Sequence, residues 1–425
     1  MIVLKNAKLL DVSHRDEDVR YSVVVSGNRI AKVVAGDVDE GRLDTTGVDT
    51  TGVQVIDVGG RTVMPGLIDC HVHVIASVAS LGLNGKLPNA LAILRAVPIL
   101  QAMLHRGFTS VRDAGGADYA LSCAIQDGTI DGPRLFVSGK ALSQTGGHAD
   151  FRDRFDFSDP DPCGCNRNAG AIGRVVDGVD AIRKAVREEM RAGANQIKIM
   201  ASGGVASPTD PIGNLQFSVD EIKAVVEEAQ SHQTYVMAHA YTSAAIKRVA
   251  ALGVKTVEHG NLVDDEAAAV MAEHGTYAVP TLVTYDAMNR FGAQQGLSRD
   301  VLAKNENVRL QGLKALEILA RHGVKMGIGT DLLGEMQQCQ AEELTLRAAV
   351  LGNYEVIRQA TAIGAEILDR AGELGVIAEN ALADILVVDG DPLADMSVLV
   401  HNQGERIVGI MKDGAWVKDP GAALA

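Results

Sequence analysis

Aromatic side chains are scarce in this chain. Only 4% of the 425 residues are Phe, Trp or Tyr, and Trp occurs once. Hydrophobic residues nevertheless make up 47% of the sequence. A chain of this length can bury a sizeable core, and we expect Ala, Val, Leu and Ile to fill it.

The chain also lacks an excess of positive charge. Its 40 Lys and Arg residues are outnumbered by 54 Asp and Glu residues, which gives a formal net charge of −14 at pH 7. Nucleic acids and anionic membranes attract basic surfaces. The composition therefore argues against both as partners.

Cysteines are few, odd in number and irregularly spaced, which does not suggest a disulfide framework. The five are Cys70, Cys123, Cys163, Cys165 and Cys339. The pair Cys163 and Cys165 has no second Cys pair with which to form a structural zinc site. Neither a signal peptide nor an apolar run of about 20 residues is visible. A cytoplasmic location is the simplest expectation.

The two ends of the chain differ from its middle in their predicted secondary structure. Residues 1–60 and 373–425 read as short strands separated by turns, whereas residues 61–372 alternate strands with helices. Eight such strands predict an α/β fold, namely a (β/α)8 TIM barrel, with a small β-sandwich module formed by both chain ends. The predicted barrel strands are Thr62–His73, Ser110–Asp113, Leu135–Gly139, Gln196–Ala201, Tyr235–Tyr241, Thr256–His259, Tyr277–Leu282 and Lys325–Asp331.

The first predicted barrel strand ends in two histidines, His71 and His73. Residues two apart on a strand point to the same side, so both imidazoles could hold one cation. The alternative is that two core histidines lie close together by chance.

Four further polar residues stand at the ends of later predicted strands, and they are Lys198, His239, His259 and Asp331. In a barrel of this kind the carboxyl ends of the strands meet at one face. Imidazole and carboxylate groups suit zinc and related divalent ions. Lys198 is unusual in such a set. Burial lowers the pKa of a lysine, and a neutral lysine can take up carbon dioxide as an anionic carbamate. The alternative is a lysine paired with a carboxylate.

Several stretches resemble the amidohydrolase superfamily, beginning with the motif Pro65–His73. The six polar residues resemble the ligand set of its binuclear branch, which carries a carboxylated lysine, and no ligand position departs from that pattern. The resemblance covers nearly the whole chain. Its subgroup is that of Xaa-Pro dipeptidases, Xaa-Arg/Lys or Xaa-hydrophobic carboxypeptidases and ochratoxin-hydrolysing amidohydrolases. The stretches that carry the subgroup are Val111–Gly116, Gln144–His148, Lys198–Gly204, His239–Thr242 and Thr330–Gly334.

The resemblance implies two divalent metal ions, with zinc expected. His71, His73 and Asp331 would hold one ion, His239 and His259 would hold the other, and the carbamate of Lys198 would bridge them. A hydroxide that bridges the two ions would attack an amide carbonyl. Asp331 would take its proton and pass it to the leaving amine.

Two further residues, His148 and Tyr241, are candidates for binding substrate. Either could donate to the oxyanion or to a substrate carboxylate. The alternatives are a loop-stabilising hydrogen bond for His148 and a locally bonded hydroxyl for Tyr241. Arg112 and Asp113 are predicted to form a structural pair, the alternative being that Asp113 contacts a metal-binding residue rather than the metal itself.

The predicted function is a metallo-amidohydrolase that releases a C-terminal amino acid from dipeptides or N-acyl amino acids. Leu332, Leu333 and Met336 favour a hydrophobic residue such as Phe, and ochratoxin A has that form. One alternative is a cyclic-amide or lactone hydrolase that uses the same site. A barrel that binds without catalysis is a second. The resemblance also suggests a homo-oligomer, an octamer being one candidate.

Overall fold

The computed structural model describes residues 1–14, 19–36, 53–158, 168–207 and 210–421. Cys163 and Cys165 lie outside the described residues. The chain divides into two compact units. Unit 1 comprises Met1–Ile68, Met103–Ser110 and Gly352–Ala425, and unit 2 comprises Asp69–Ala102 and Val111–Leu351. The domain boundaries predicted at residues 60 and 372 stay predictions.

Unit 1 contains a sheet to which both ends of the chain contribute. In sheet order its strands are Ala415–Lys418, Ile407–Lys412, Ile385–Val388, Thr62–Pro65, Ile2–Leu9, Tyr21–Ser26 and Arg29–Ala35, and Gln54–Asp57 pairs in parallel with Ile2–Leu9. The strand Ile385–Val388 pairs antiparallel with Thr62–Pro65. Apolar side chains from both chain ends, among them Leu4, Val23, Ile385 and Met411, form one buried cluster. Both ends of the chain thus share one core, because each contributes strands with apolar faces.

Unit 2 contains a sheet of parallel strands. In sheet order these are Gly173–Val175, Ala141–Ser143, Ile197–Met200, Val236–Thr242, Thr256–Leu262 and Tyr277–Val279. A three-stranded sheet joins Leu67–Val72, Phe108–Asp113 and Arg134–Phe136. Apart from Gly173–Val175, whose residues are all partly exposed, the strands are short and almost entirely buried, as expected of a parallel sheet with both faces covered.

The segment predicted as the eighth strand, Lys325–Asp331, contributes one parallel bridge, between Ala278 and Met326. Its backbone also bonds to the first barrel strand, since the N–H of Cys70 donates to the carbonyl of Ile328 at 2.7 Å. The N–H of Asp331 in turn donates to the carbonyl of His71 at 2.8 Å. This segment therefore has backbone partners on both sides.

Helices follow the strands through unit 2 and the last part of unit 1. They span Leu81–Asn84, Asn89–His105, Tyr119–Gln126, Val179–Arg191, Val219–Ser231, Ser243–Ala251, Asp265–Glu273, Leu282–Phe291, Arg299–Arg321, Glu342–Leu351, Asn353–Gln359 and Ala362–Ile367. Short 3-10 helices cover Gly334–Cys339, Met396–Leu399 and His401–Gln403. Ser218 and Glu221 form a capping box at the start of Val219–Ser231. Within the described residues we find no helix with the length and apolarity that crossing a membrane requires.

Candidate metal centre and active site

His71 and His73 lie at the end of the strand Leu67–Val72, and both are buried. Nδ1 of His71 donates to Oε2 of Glu258 at 2.6 Å, and Nδ1 of His73 donates to the carbonyl of Gly115 at 2.9 Å. Each Nδ1 is therefore engaged by the protein. Nε2 is the ring nitrogen that each histidine leaves for a ligand.

Asp331 brings a carboxylate to these two nitrogens. Its Oδ1 lies 3.4 Å from Nε2 of His71 and 3.2 Å from Nε2 of His73. The three side chains form a group that could hold a metal ion. The positive charge that the histidines can carry holds the pKa of Asp331 well below its usual value, although burial acts to raise it. The carboxylate is thus ionised at neutral pH and can serve as an anionic ligand.

Asp331 has a backbone conformation that few side chains adopt, with φ at 51°. Two contacts hold it there. Its N–H bonds to the carbonyl of His71, and its own carbonyl accepts from Oγ1 of Thr284 at 2.9 Å. The preceding residue, Thr330, donates to the buried carboxylate of Asp69 at 2.7 Å. Backbone strain of this kind is found at functional sites, where the surrounding structure maintains it.

His239 and His259 continue the group of imidazoles. The ring centroids of His71 and His259 are 4.9 Å apart, those of His259 and His239 4.6 Å, and those of His239 and His148 4.2 Å. Nε2 of His239 contacts the carbonyl of Gly203 at 3.2 Å, which leaves its Nδ1. Burial lowers the pKa of His239 and of His259 well below the usual value, so both rings are neutral and can offer a lone pair.

Lys198 lies on the strand Ile197–Met200 and is 1% exposed. Burial lowers the pKa of its ammonium group to about 8. Among the described residues, no hydrogen bond or ion pair engages its Nζ. These contacts therefore do not support the alternative in which Lys198 pairs with a carboxylate. A neutral amine with this freedom is suited to reaction with carbon dioxide.

Glu258, the residue before His259, belongs to the site but was not predicted from the sequence. Oε1 of Glu258 accepts from Nη2 of Arg112 at 2.9 Å, while its Oε2 accepts from His71. Burial acts to raise the pKa of Glu258, but the guanidinium of Arg112 together with the hydrogen bond from His71 outweighs it, and the pKa falls to about 2. An acidic residue beside a predicted ligand, in the run Val257–His259, was the available signal.

The predicted pair of Arg112 with Asp113 is wrong. Successive residues on a strand point to opposite sides, and Arg112 turns toward Glu258. Asp113 instead accepts hydrogen bonds from the backbone N–H groups of Val74 and Gly115 at 2.8 and 2.9 Å. It therefore orders the turns that follow two strands.

Tyr241 stacks on the ring of His259 with a centroid distance of 5.1 Å and is 2% exposed. Its hydroxyl lies 2.8 Å from the hydroxyl of Tyr285, which Thr281 also contacts. Thr281 in turn lies 2.8 Å from Nδ1 of His259. The hydroxyl of Tyr241 is thus bonded locally, as the alternative to a substrate-binding role predicts. Its contact with substrate stays a prediction.

His148 lies against the metal-site histidines, with its ring stacked on that of His239. Its Nδ1 lies 2.6 Å from Oγ of Ser207 and 3.3 Å from Oδ2 of Asp210. Ser207 also bonds to Asp210. Hydrogen bonding to His148 helps to lower the pKa of Asp210, against the effect of burial. The ring is therefore fixed through Nδ1, and Nε2 is its remaining nitrogen.

A cavity of about 270 Å³ adjoins these residues. It shares Ser207 with the contacts of His148, and its wall includes Leu333, two residues after Asp331. Five larger apolar residues also line it, namely Leu81, Phe151, Met288, Leu297 and Val301, and its charged lining residues are Asp300 and Lys304. Leu332 and Met336 are buried but do not line it.

The donor set fits divalent cations. Each of the four site histidines, His71, His73, His239 and His259, has one ring nitrogen held by a Glu, carbonyl or hydroxyl partner. This is the arrangement by which proteins orient metal-binding imidazoles. Asp331 supplies an anionic oxygen between two of the free nitrogens. His71, His73 and Asp331 form the tightest group.

Comparison with known proteins gives a consistent result. The model of the Amidohydrolase family matches residues 62–417. The ochratoxinase of Aspergillus niger is 31% identical over 375 residues, which cover 84% of this chain and 76% of that protein. The crystal structure of a prolidase complexed with N-methylphosphonate-L-proline is 54% identical, covers 98% of this chain and 99% of its own, and has a TM-score of 0.92. A Xaa-Pro dipeptidase with bound methionine is 29% identical, with a TM-score of 0.83 and coverage of 98% and 100%.

These matches imply an α/β fold of the TIM-barrel type with an additional domain. They also imply a requirement for divalent metal, for which His71, His73 and Asp331 are a candidate site. The family match spans well over half of the chain. The chain belongs to the amidohydrolase family, in the subgroup of ochratoxinase and the Xaa-Pro dipeptidases, and is a hydrolase that acts on amide bonds.

Proposed function

We propose that this enzyme hydrolyses the amide bond before a C-terminal apolar residue, in dipeptides and N-acyl amino acids. The observation that carries the proposal is a largely apolar cavity next to residues that adjoin the site, namely a contact of His148 and a near neighbour of Asp331 in sequence. That cavity shares Ser207 with the contacts of His148 and includes Leu333 near Asp331. The relatives support it, since one solved prolidase holds a proline phosphonate and another relative is named for ochratoxin.

Six side chains would hold two divalent ions, zinc being the expected metal. They are His71, His73, His239, His259, Asp331 and Lys198 as its carbamate. When bound, such ions lower the pKa of a water molecule and polarise the scissile carbonyl. The buried Glu258 keeps His71 in the tautomer that leaves Nε2 free.

Asp331 would act as the proton carrier. Its ionised carboxylate can accept a proton from the attacking water and deliver it to the amine that leaves. An amide nitrogen leaves as an amine only when it has been protonated. The backbone contacts that hold Asp331 at positive φ keep the carboxylate in place for both transfers.

His148 and Tyr241 would contact the substrate. Both rings lie against the metal-site imidazoles, at 4.2 Å from His239 and 5.1 Å from His259. Nε2 of His148 would bind the substrate carboxylate or the oxyanion. The hydroxyl of Tyr241 would exchange its contact with Tyr285 for one with the substrate.

We propose a closed eight-stranded barrel in which Lys325–Asp331 supplies the eighth strand position, because its backbone bonds to Ala278 on one side and to Cys70 and His71 on the other. The partners would be small dipeptide-like molecules with a free carboxylate, not nucleic acid or membranes. A homo-oligomer, with an octamer as one candidate, and a cytoplasmic location also remain proposals.

The test is a substrate panel with the zinc-reconstituted enzyme. It contains Xaa-Pro, Xaa-Phe, Xaa-Leu and Xaa-Arg dipeptides, N-acyl-phenylalanine and ochratoxin A, with hydantoins and lactones as the contrasting set. We expect release of the apolar C-terminal residues, and little release of Arg. Turnover of the cyclic compounds alone would overturn the proposal.

A further inference from the structure

Lys304 lies on the helix Arg299–Arg321 and is half-buried. Its Nζ donates to three backbone carbonyls, those of Gly204 at 3.1 Å, Ser207 at 3.0 Å and Asp210 at 2.9 Å. An ammonium group has three donors, and all three are used. Lys304 is thus saturated by the protein and is not free to bind a substrate anion.

Each of the three residues that Lys304 holds also touches His148. Gly204 lies flat against the imidazole, so closely that a Cβ there would come within 2.0 Å of its Cε1. Ser207 and Asp210 contact Nδ1 of the same ring. Asp210 further accepts from the N–H of Gly204 at 2.9 Å, which ties the group together.

We propose that Lys304 is a positioning residue that sets the place of the His148 ring at the substrate. It acts through the carbonyls of Gly204, Ser207 and Asp210. Without the ammonium, three carbonyls would lose their partner and these residues would shift. The ring of His148 would then lose its support on two sides. Because Lys304 also lines the apolar cavity with Ser207, the same lysine fixes one cavity wall.

This inference rests on the proposed function for its kinetic test, but not for its structural test. The variant Lys304→Met keeps the aliphatic stem and removes all three donors. Lys304→Arg restores donors, and the matched control is Lys314→Met, since Lys314 is exposed on the same helix. All variants are studied as the full metal-loaded chain.

The kinetic test is a double-mutant cycle with His148→Asn, on the best substrate of the panel. We expect Lys304→Met to lower kcat/KM by roughly 10- to 100-fold, with partial recovery in Lys304→Arg. In the His148→Asn background the same change should cost no more than about twofold, since the two residues act as one unit. A purely structural role would instead give losses that multiply, which would overturn the proposal.

The structural test is hydrogen exchange of the peptide around residues 142–150, which contains His148 but is distant in sequence from Lys304. We expect faster exchange in Lys304→Met than in Lys314→Met. Equal exchange in the two variants would overturn the inference. If the wild-type enzyme cleaved none of the panel, the proposed function would fail, and this measurement would still decide the role of Lys304.

Discussion

Nδ1 of His71 donates to the carboxylate of Glu258 across 2.6 Å, and neither side chain is more than 1% exposed. The two residues are 187 positions apart in sequence. Glu258 shares its other oxygen with Arg112, so a buried cation, an anion and an imidazole form a chain. This series of contacts fixes the orientation of the His71 ring. It thereby fixes the position of Nε2 of His71, the nitrogen that faces Asp331.

Replacing Glu258 should weaken metal binding while leaving the ligands in place. We expect Glu258→Gln to reduce metal affinity by roughly 10- to 100-fold, as is typical when a partner of a metal-binding histidine is changed. Competition with a chromogenic chelator measures this. The control is Glu266→Gln, because Glu266 is exposed and pairs with Lys247 at the surface. Equal metal retention in both variants would contradict the role given to Glu258.

Arg112 should matter for stability more than any surface arginine. Arg112→Met leaves the Glu258 carboxylate buried without its partner, which costs about 3–5 kcal/mol of unfolding free energy. Urea unfolding of the metal-free protein measures it. Arg309, which pairs with Glu306 three positions earlier on the same helix, provides the comparison, since in Arg309→Met the removal of a largely exposed ion pair should cost far less than that. Similar losses of unfolding free energy in the two variants would contradict the stabilising role given to the buried pair of Arg112 with Glu258.

Lys198 should react with carbon dioxide only when it is neutral. Below its pKa of about 8 the amine is protonated and unreactive, and above that pKa it is neutral. The neutral fraction therefore rises from roughly one tenth at pH 7 to roughly nine tenths at pH 9. We expect reconstitution of the metal-free enzyme with zinc and bicarbonate to become faster over this range.

The variant Lys198→Ala should show no bicarbonate dependence at any pH. If the wild-type enzyme regained activity equally fast with and without bicarbonate, in carbon-dioxide-free buffer, the carbamate would be excluded.

Asp331 can be tested without disturbing its backbone. Asn adopts positive φ more readily than most residues, so Asp331→Asn keeps the conformation at 51° while removing the charge. At saturating metal we expect kcat to fall by roughly 10²- to 10⁴-fold, the usual contribution of a general acid–base group, and the melting temperature of the metal-free protein to fall modestly, because His71 and His73 lose their anionic partner. Asp331→Val should in addition lose about 1–2 kcal/mol of stability. An active Asp331→Asn enzyme would remove Asp331 from the proton transfer.

The strands of the site were predictable because their apolar runs end in polar residues with the right chemistry. The strand bearing Lys198 and that bearing His239 were each predicted to within one residue of their observed bounds. The sequence also predicts a helical stretch over Gln340–Ala371, which the structure divides into the helices Glu342–Leu351, Asn353–Gln359 and Ala362–Ile367. Gly352 has a φ of 79°, which a helix cannot continue through, and the next helix begins at Asn353.

The features that could not be predicted from the sequence include contacts between residues that are far apart in the chain. The helices Tyr119–Gln126 and Leu282–Phe291 were missed, the second because its start was assigned to a strand. The contact of Lys304 with Gly204 spans 100 positions and follows no periodic pattern. Sequence periodicity relates residues within one helix or strand. It therefore cannot predict pairs that only the tertiary fold brings together.

The sheet of unit 1 can be completed only late in synthesis, because its strands come from both ends of the chain. The strand Thr62–Pro65 pairs with Ile385–Val388, which leaves the ribosome some 320 residues later. At 5–20 residues per second the wait is roughly 15 to 60 s. Throughout that time one edge of Thr62–Pro65 is exposed, and exposed strand edges invite pairing with other chains. The newly made protein therefore has an aggregation-prone interval, which a chaperone that covers this strand edge would relieve.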